Sequence, residues 1–192
     1  MFKKLFRKLS RFFDKLTGSK WLCEMISSLN NNQDKIEVVD NFLSLTESEQ
    51  VLEFCESSQY SYGEADSEDS PPAGMTCEIL QSDYMYHFFK KKLSDAFPIV
   101  LSRQFRRMYI NCFSPLERPF FHIDAADGYT FLYYPQKNLK IDDGGETQFL
   151  INESIYGILP LQNRIVKFDA SILHRATSLR NSYRFTVAIK YF

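Results

Sequence analysis

The chain has 192 residues, 44% of them hydrophobic and 16% aromatic, which is enough for one domain with a core and an appendage. Its formal net charge of −1 argues against a protein that coats nucleic acids without sequence preference. Four cysteines without a Cys-x-x-Cys pair indicate reduced thiols, not a disulfide framework or a zinc site. Because we find neither a membrane-spanning apolar run nor a secretory signal, we expect a cytoplasmic protein.

The segment 1–20 is predicted to form a basic amphipathic helix. It holds seven Lys and Arg residues and one Asp, whereas the remainder of the chain holds 16 basic and 23 acidic residues. Two interpretations stay open. The apolar stripe of residues 2–16 could pack on the chain's own domain, or it could bind an anionic membrane surface or an acidic partner, making the protein membrane-peripheral. The stripe recurs at helical spacing and consists of Phe2, Leu5, Phe6, Leu9, Phe12, Phe13 and Leu16.

Residues 34–103 are predicted to contain a strand, two helices and a long loop. Residues 36–43 alternate as a strand does, and Thr46 with Glu49 forms a capping-box pattern that opens a helix to about Ser58. The stretch 57–74 is interpreted as a long surface loop, either an ordinary mobile loop or a lid. A second helix is predicted over about 83–96, and its His87 is not interpreted as a metal ligand.

Beyond residue 103 the chain is predicted to consist of short strands separated by turns, an arrangement typical of a sandwich or barrel. We therefore predict an α+β fold: a double-stranded β-helix, or jelly-roll, with N-terminal helices packed on one sheet. The domain would span 34–192 and its catalytic core about 104–192. The predicted strands are 104–113, 119–124, 129–135, 146–151, 158–168, 172–178 and 184–192.

His122, Asp124 and His174 are candidate metal ligands. In a strand, residues i and i+2 point to the same side, so His122 and Asp124 could hold one ion. Two imidazoles and one carboxylate form the facial triad that binds a non-heme Fe(II). Taken alone, the pair could also be exposed polar residues, and His174 could be a buried, hydrogen-bonded histidine.

The last strand supplies a candidate anion-binding cation. Residues 184–192 alternate strictly, which places Arg184 opposite the apolar face. A guanidinium pairs bidentately with carboxylates, although a solvated outer face would show the same pattern. Because a short turn separates the two strands, we expect Arg184 to lie on the sheet that bears His174. Arg180 ranks second because it falls in the turn.

Residues 108–192 resemble the catalytic core of the prolyl-4-hydroxylase-like family of Fe(II)/2-oxoglutarate dioxygenases. The shared pattern is His-x-Asp, a distal His, and a Lys or Arg about ten residues later, here from His174 to Arg184. Further similar motifs lie at 130–134, at Asp-Gly-Gly-Glu-Thr over 143–147, and at 163–168. The resemblance implies that His122, Asp124 and His174 bind Fe(II) as the catalytic residues, while Arg184 and Tyr134 bind the 2-oxoglutarate cosubstrate.

The resemblance also implies the activity. The protein would use O2 to hydroxylate a substrate C–H, with release of succinate and CO2 and with ascorbate as reductant. The substrate would be a protein or peptide, with a prolyl residue as one candidate, or a small molecule. The sequence departs from the family's pattern at Phe113, where many relatives have tyrosine, and at Lys190, where some have a large aromatic. Candidate site-lining residues are Thr130, Thr147, Thr186, Lys190 and Asn111.

Two alternatives remain at this point. One is a nucleic-acid demethylase of the same superfamily, disfavoured by the short step to Arg184 and by the acidity of the domain beyond residue 20. The other is a non-catalytic jelly-roll binding module with a degenerate site.

Overall fold

A computed structural model describes residues 35–63, 65 and 70–192. The predicted helix at 1–20 lies outside the described residues, as does part of the predicted loop at 57–74. Within the described part of the chain, neither helix has the length and apolar character needed to cross a membrane.

The first half of the described chain carries both α-helices. Its elements are β1 (Ile36–Val39), α1 (Leu45–Ser57), β2 (Ser61–Tyr62), β3 (Met75–Glu78), α2 (Tyr84–Ala96) and a 3-10 helix at Pro98–Ser102.

Helix α1 begins two residues earlier than the Thr46 capping box predicts. Ser44 is the N-cap: its hydroxyl accepts the Glu47 N–H, and the Glu47 carboxylate accepts the Ser44 N–H at 3.0 Å. The sequence contains both Ser-x-x-Glu and Thr-x-x-Glu patterns, two residues apart. The Ser-x-x-Glu pattern caps the helix because the residue before it, Leu43, is fixed in place. Leu43 is buried, and its backbone N–H and C=O are both hydrogen-bonded to the side chain of Asn163.

The second half is almost entirely strands. They are β4 (Phe105–Phe113), β5 (Tyr129–Tyr134), β6 (Thr147–Ile151), β7 (Ser154–Ile158), β8 (Arg164–Asp169), β9 (His174–Ala176) and β10 (Arg184–Tyr191), with a 3-10 turn at Ile141–Asp143.

The strands form two antiparallel sheets. The large sheet has the order β1-β8-β5-β10-β4-β3-β2, and the small sheet has the order β7-β6-β9. Two such sheets with helices near the N-terminal part confirm the predicted α+β jelly-roll.

Both helices pack on the outer face of the large sheet. Phe89 and Leu93 of α2 and Val51 of α1 share one buried cluster with Ile110 and Val187 of the sheet. A second cluster, which includes Phe149 and Phe168, fills the space between the two sheets. The helices thus stiffen one face of the large sheet and leave its other face toward the small sheet.

Two predicted strands are corrected. Residues 119–124 form no continuous strand; the chain there is a loop that makes a single bridge, from His122 to His174 on the edge strand β9 of the small sheet. The predicted strand 158–168 is interrupted after Ile158, since residues 159–163 turn from the small sheet into the large one. Asn163 adopts a left-handed conformation with φ of 61°, which ends regular pairing there.

Candidate metal centre and its cavity

The loop between β4 and β5 carries two of the candidate ligands. His122 exchanges both backbone hydrogen bonds with His174, at 2.9 and 3.0 Å, so the two residues lie side by side. The Asp124 N–H donates to the carbonyl of Ala170 at 2.9 Å, which fixes the loop beyond the bridge. The expected i, i+2 geometry is therefore produced by a bridged loop and not by a strand.

Both imidazoles are oriented by backbone carbonyls. His122 Nδ1 lies 3.1 Å from the Phe120 carbonyl, and His174 Nδ1 lies 2.8 Å from the Ile172 carbonyl. A carbonyl only accepts, so each Nδ1 carries the proton and each Nε2 keeps its lone pair for a metal. Burial lowers the pKa of His174 to about 4, which keeps it neutral, as a metal ligand must be.

The ligand atoms converge. His122 Nε2 lies 3.7 Å from Asp124 Oδ1, and His174 Nε2 lies 3.7 Å from Asp124 Oδ2. One ligand atom from each of the three side chains falls within 4.8 Å of the other two. Two neutral imidazoles and one carboxylate in this arrangement fit a divalent metal of the Fe(II) type and leave coordination positions open.

Asp124 has two further partners on the large sheet. Lys190 Nζ donates to Asp124 Oδ1 at 2.7 Å, and the Thr130 hydroxyl donates to Oδ2. Burial by itself would raise the pKa of Asp124, but the charge of Lys190 and the hydrogen bonds from Lys190 and Thr130 outweigh it and lower that pKa. The carboxylate is therefore held ionised and fixed in orientation before any metal binds.

Arg184 lies on the large sheet, which corrects the expectation that it shares a sheet with His174. Strand β10 pairs with β4 and β5, whereas His174 is on β9 of the small sheet. The inner face of β10 turns Arg184 toward the small sheet across the interior. Its guanidinium donates to the Gly145 carbonyl at 2.7 Å and to the hydroxyls of Thr147 and Thr186 at 2.9 and 3.1 Å.

Arg184 is also a buried cation bonded only to neutral acceptors. Its exposed fraction is 1%, and no carboxylate among the described residues forms an ion pair with it. Burial lowers the pKa of Arg184, although Tyr134 and Glu146 act in the opposite direction. A buried charge is costly unless it is paired, so the Arg184 guanidinium is suited to pair with an anionic group.

Tyr134 reaches this region through Thr147. The Tyr134 hydroxyl donates to Thr147 Oγ1 at 2.7 Å, and the Arg184 guanidinium carbon lies 5.7 Å from the centre of the Tyr134 ring. Tyr134 is buried between the sheets. It thus positions Thr147 beside Arg184.

One cavity of about 260 Å³, the triad cavity, joins the metal ligands to Arg184. Arg180 lies elsewhere: it is exposed and donates to the Asp142 carbonyl at 3.2 Å. His87 is exposed on α2. All five candidate site-lining residues, Thr130, Thr147, Thr186, Lys190 and Asn111, lie on the wall of the triad cavity.

Arg107 and Tyr109 are among the residues of this wall that were not predicted from the sequence. Both lie on β4 at two-residue steps from Asn111, so the strand period would have found them. The Arg107 guanidinium lies 4.0 Å from the centre of the Tyr109 ring and forms an ion pair with Glu78. Phe113 lies further along the same face, 6.0 Å from the Arg184 guanidinium carbon, so no hydroxyl is present there.

Comparison with known proteins shows structural relatives only. No family model and no curated protein matches the chain. A prolyl hydroxylase from Trichoplax adhaerens, solved in complex with a hypoxia-inducible-factor oxygen degradation domain peptide, is 21% identical with a TM-score of 0.64, covering 93% of this chain and 92% of that one. A Pseudomonas putida prolyl-4-hydroxylase is 11% identical with a TM-score of 0.63, covering 82% and 91%.

A third similar structure is HygX from Streptomyces hygroscopicus, solved with nickel and 2-oxoglutarate bound. It is 9% identical with a TM-score of 0.62, covering 90% of this chain and 86% of that one. At these identities the likeness is one of fold, and it extends over most of the chain. The chain therefore has the jelly-roll fold of the prolyl 4-hydroxylases and related 2-oxoglutarate/Fe(II) oxygenases, with a His-x-Asp…His triad in its interior.

Proposed function

We propose that this protein is an Fe(II)- and 2-oxoglutarate-dependent dioxygenase that hydroxylates a C–H of its substrate. One observation carries the proposal: the triad cavity contains three converging side chains that could bind a metal, and a buried arginine that forms no ion pair with any carboxylate of the described residues. A degenerate binding module would have no reason to keep both. Bound Fe(II) with 2-oxoglutarate would supply the O2 activation and hydroxylation chemistry, with succinate and CO2 as coproducts.

The charges of the site favour a dicarboxylate. Two neutral imidazoles and the Asp124 carboxylate leave a divalent metal with a net charge of +1, and Arg184 adds a second, separate positive charge. One carboxylate end of 2-oxoglutarate can meet the metal while the other meets Arg184. The cosubstrate therefore removes the electrostatic cost of the buried guanidinium.

Thr147 adds a directed donor at the arginine end. Its oxygen accepts from both the Tyr134 hydroxyl and the Arg184 guanidinium, which uses both lone pairs. The Thr147 hydroxyl proton is then left for an external acceptor, such as a carboxylate oxygen. Tyr134, Thr147 and Arg184 together would orient the cosubstrate.

The substrate proposed is a prolyl residue of a protein or peptide. The support is the fold shared with two prolyl hydroxylases, one of them solved with a peptide fragment. The Tyr109 ring and the Lys190 side chain on the wall of the triad cavity would flank the substrate opposite the small sheet. Ascorbate is proposed as the reductant that keeps the metal ferrous.

The test is a succinate-release screen with Fe(II), 2-oxoglutarate and ascorbate against pools of proline-containing peptides, free amino acids and oligonucleotides. We expect succinate to rise with a peptide pool, with a 16-Da mass increase in the peptide. Succinate that rises only with methylated oligonucleotides would instead establish the demethylase alternative. Absence of both metal binding and 2-oxoglutarate binding would overturn the proposal in favour of a non-catalytic module.

A further inference from the structure

A second cavity adjoins the triad cavity. This distal cavity, of about 390 Å³, is lined by residues 116–119 and 175–180. Pro119 and Ala176 line both cavities, so the two share a wall. Ala176 is two residues beyond His174 on β9, so the distal cavity begins one strand step from a metal ligand.

The walls of the distal cavity are fastened to each other. The Ser178 hydroxyl donates to the Glu117 carbonyl, which ties the loop after β4 to the segment after β9. The Glu117 carboxylate accepts the backbone N–H of Ser114 and is thereby engaged within its own loop. The two walls of the distal cavity are therefore held together by a hydrogen bond. Glu117, the carboxylate among the described lining residues, is occupied by a hydrogen bond within its own loop.

Three arginines among the described residues line the distal cavity: Arg118, Arg180 and Arg175, the last of which donates to the Gln148 side chain at 2.9 Å. Arg118 and Arg180 are both exposed, and across the described ranges 35–63, 65 and 70–192 neither guanidinium forms an ion pair. By contrast, Lys190 and Arg107 in the triad cavity are paired with Asp124 and Glu78. Among the described residues on the two cavity walls, the exposed cations without an ion pair, Arg118 and Arg180, therefore both lie in the distal cavity, on a domain whose residues beyond 20 are acidic overall.

An apolar side chain stands at the edge of the distal cavity. Leu116 is 87% exposed and adopts a left-handed conformation with φ of 73°, which is uncommon for a residue with a Cβ. The loop tolerates this conformation because its neighbours on both sides are hydrogen-bonded. An exposed leucine beside unpaired arginines suits a ligand that offers both carboxylates and apolar side chains.

We propose that the distal cavity binds an acidic segment of an extended polypeptide substrate, close in sequence to the residue presented at the triad. This inference rests on the proposed function, because the distal cavity acts as an extension of that substrate site. Single-stranded nucleic acid is the less favoured occupant. Sites for it combine basic charge with aromatic platforms, and the described residues that line the distal cavity include no aromatic side chain.

The test measures peptide binding by fluorescence anisotropy with the full chain loaded with Mn(II) and 2-oxoglutarate, so that it needs no turnover. The probes are labelled eleven-residue peptides with a central proline and either Glu or Gln at the flanking positions on one side. We expect the Glu peptide to bind at least about tenfold more tightly, with the difference shrinking as salt is raised. In an Arg118→Glu/Arg180→Glu variant the preference should disappear, and a Lys-flanked peptide should gain affinity.

Arg106→Glu is the matched control, since Arg106 is exposed on β4 and lines neither cavity. It should retain the preference for the Glu peptide. Equal binding of Glu and Gln peptides, an equal loss in the control, or displacement by an eleven-nucleotide DNA strand better than by the Glu peptide would each overturn the inference. If the Glu preference persists while no succinate forms, the inference about the distal cavity stands and the proposed function fails. If succinate forms but the Glu and Gln peptides bind equally, the proposed function stands and the inference about the distal cavity fails.

Discussion

Lys190 Nζ lies 2.7 Å from Asp124 Oδ1, joining β10 to a metal-ligand carboxylate 66 residues away. The exposed fraction of the Asp124 side chain is 2% and that of Lys190 is 15%, so the pair is shielded from water. Burial by itself would lower the pKa of Lys190, but Tyr109 and Asp124 outweigh it and raise that pKa. The ammonium is therefore charged, and it holds one Asp124 oxygen while leaving the other toward His174.

Removing this contact should weaken metal binding. Lys190→Met keeps the length of the side chain but releases the Asp124 carboxylate, and loss of such a supporting partner typically lowers metal affinity about 10–100-fold. The measurement is an anaerobic Fe(II) or Mn(II) titration. Lys167→Met, which removes a surface pair with Glu37, is the control and should bind metal normally. Tighter metal binding by Lys190→Met would contradict this. It would show that charge repulsion between Lys190 and the metal outweighs the orientation of the Asp124 carboxylate by Lys190.

Loss of a triad imidazole should abolish iron binding. His174→Ala removes one of three ligands, and the expected outcome is less than a tenth of the wild-type iron content with no succinate formation. Because His174 also packs against Phe149 and Phe168, His174→Gln serves as a second variant that fills more of the space. His87→Ala, on the exposed face of α2, should change neither quantity. Normal iron content in both His174 variants would refute the triad.

Arg184 should determine cosubstrate affinity. Truncating one partner of a buried charge pair costs about 2–5 kcal/mol, so Arg184→Ala should weaken 2-oxoglutarate binding by tens-fold or more. In a thermal melt of the metal-loaded protein, saturating 2-oxoglutarate should stabilise the wild type but not the variant. Arg180→Ala is the matched control. A larger effect of Arg180→Ala than of Arg184→Ala would show that the wrong cation has been assigned.

Asn163 should contribute to the free energy of unfolding through three buried hydrogen bonds. Its side chain bonds the N–H and C=O of Leu43 and accepts from the Tyr133 hydroxyl at 3.1 Å. Asn163→Ala leaves the Leu43 N–H and C=O without these partners, while the Tyr133 hydroxyl keeps Ser48 at 3.0 Å, and should lower the free energy of unfolding by about 1–3 kcal/mol, measured with urea. Asn138 has a similar φ of 63° but is exposed, so Asn138→Ala isolates the backbone contribution. Equal losses in both variants would exclude a role for the Asn163 hydrogen bonds.

The N-terminal segment remains a sequence-based proposal. If residues 1–20 bind anionic lipid, their deletion should abolish binding to anionic vesicles while succinate formation on a soluble substrate stays near normal; each basic residue near such a surface contributes about 1 kcal/mol. A full-length protein that ignores vesicles, together with a truncated one that melts several degrees lower, would favour packing of the stripe on the domain instead.

Short-range regularities were enough to predict both described helices, most of the strands and the candidate metal ligands, but not the loop at 119–124 or strand β7. The alternation of β10 identified Arg184, Thr186 and Lys190 as members of one face, and the His-x-Asp spacing identified two neighbouring ligands. The alternation of β10 succeeds because a strand repeats every two residues whatever its partner is, whereas His122 and Asp124 converge through a bridged loop. The same period, applied to β4, would also have found Arg107 and Tyr109.

Which strands β10 pairs with was decided only by the tertiary structure. The alternation of β10 is identical whether it joins the sheet of His174 or the opposite one, and packing against β4 and β5 placed it in the latter. That choice turned Arg184 and Lys190 toward the triad from across the interior. The Ser44 cap, selected over Thr46 by contacts of Leu43 with Asn163, arises in the same way. Both the pairing of β10 and the Ser44 cap depend on residues far apart in sequence. Their contacts are set by burial across the whole core and not by local spacing.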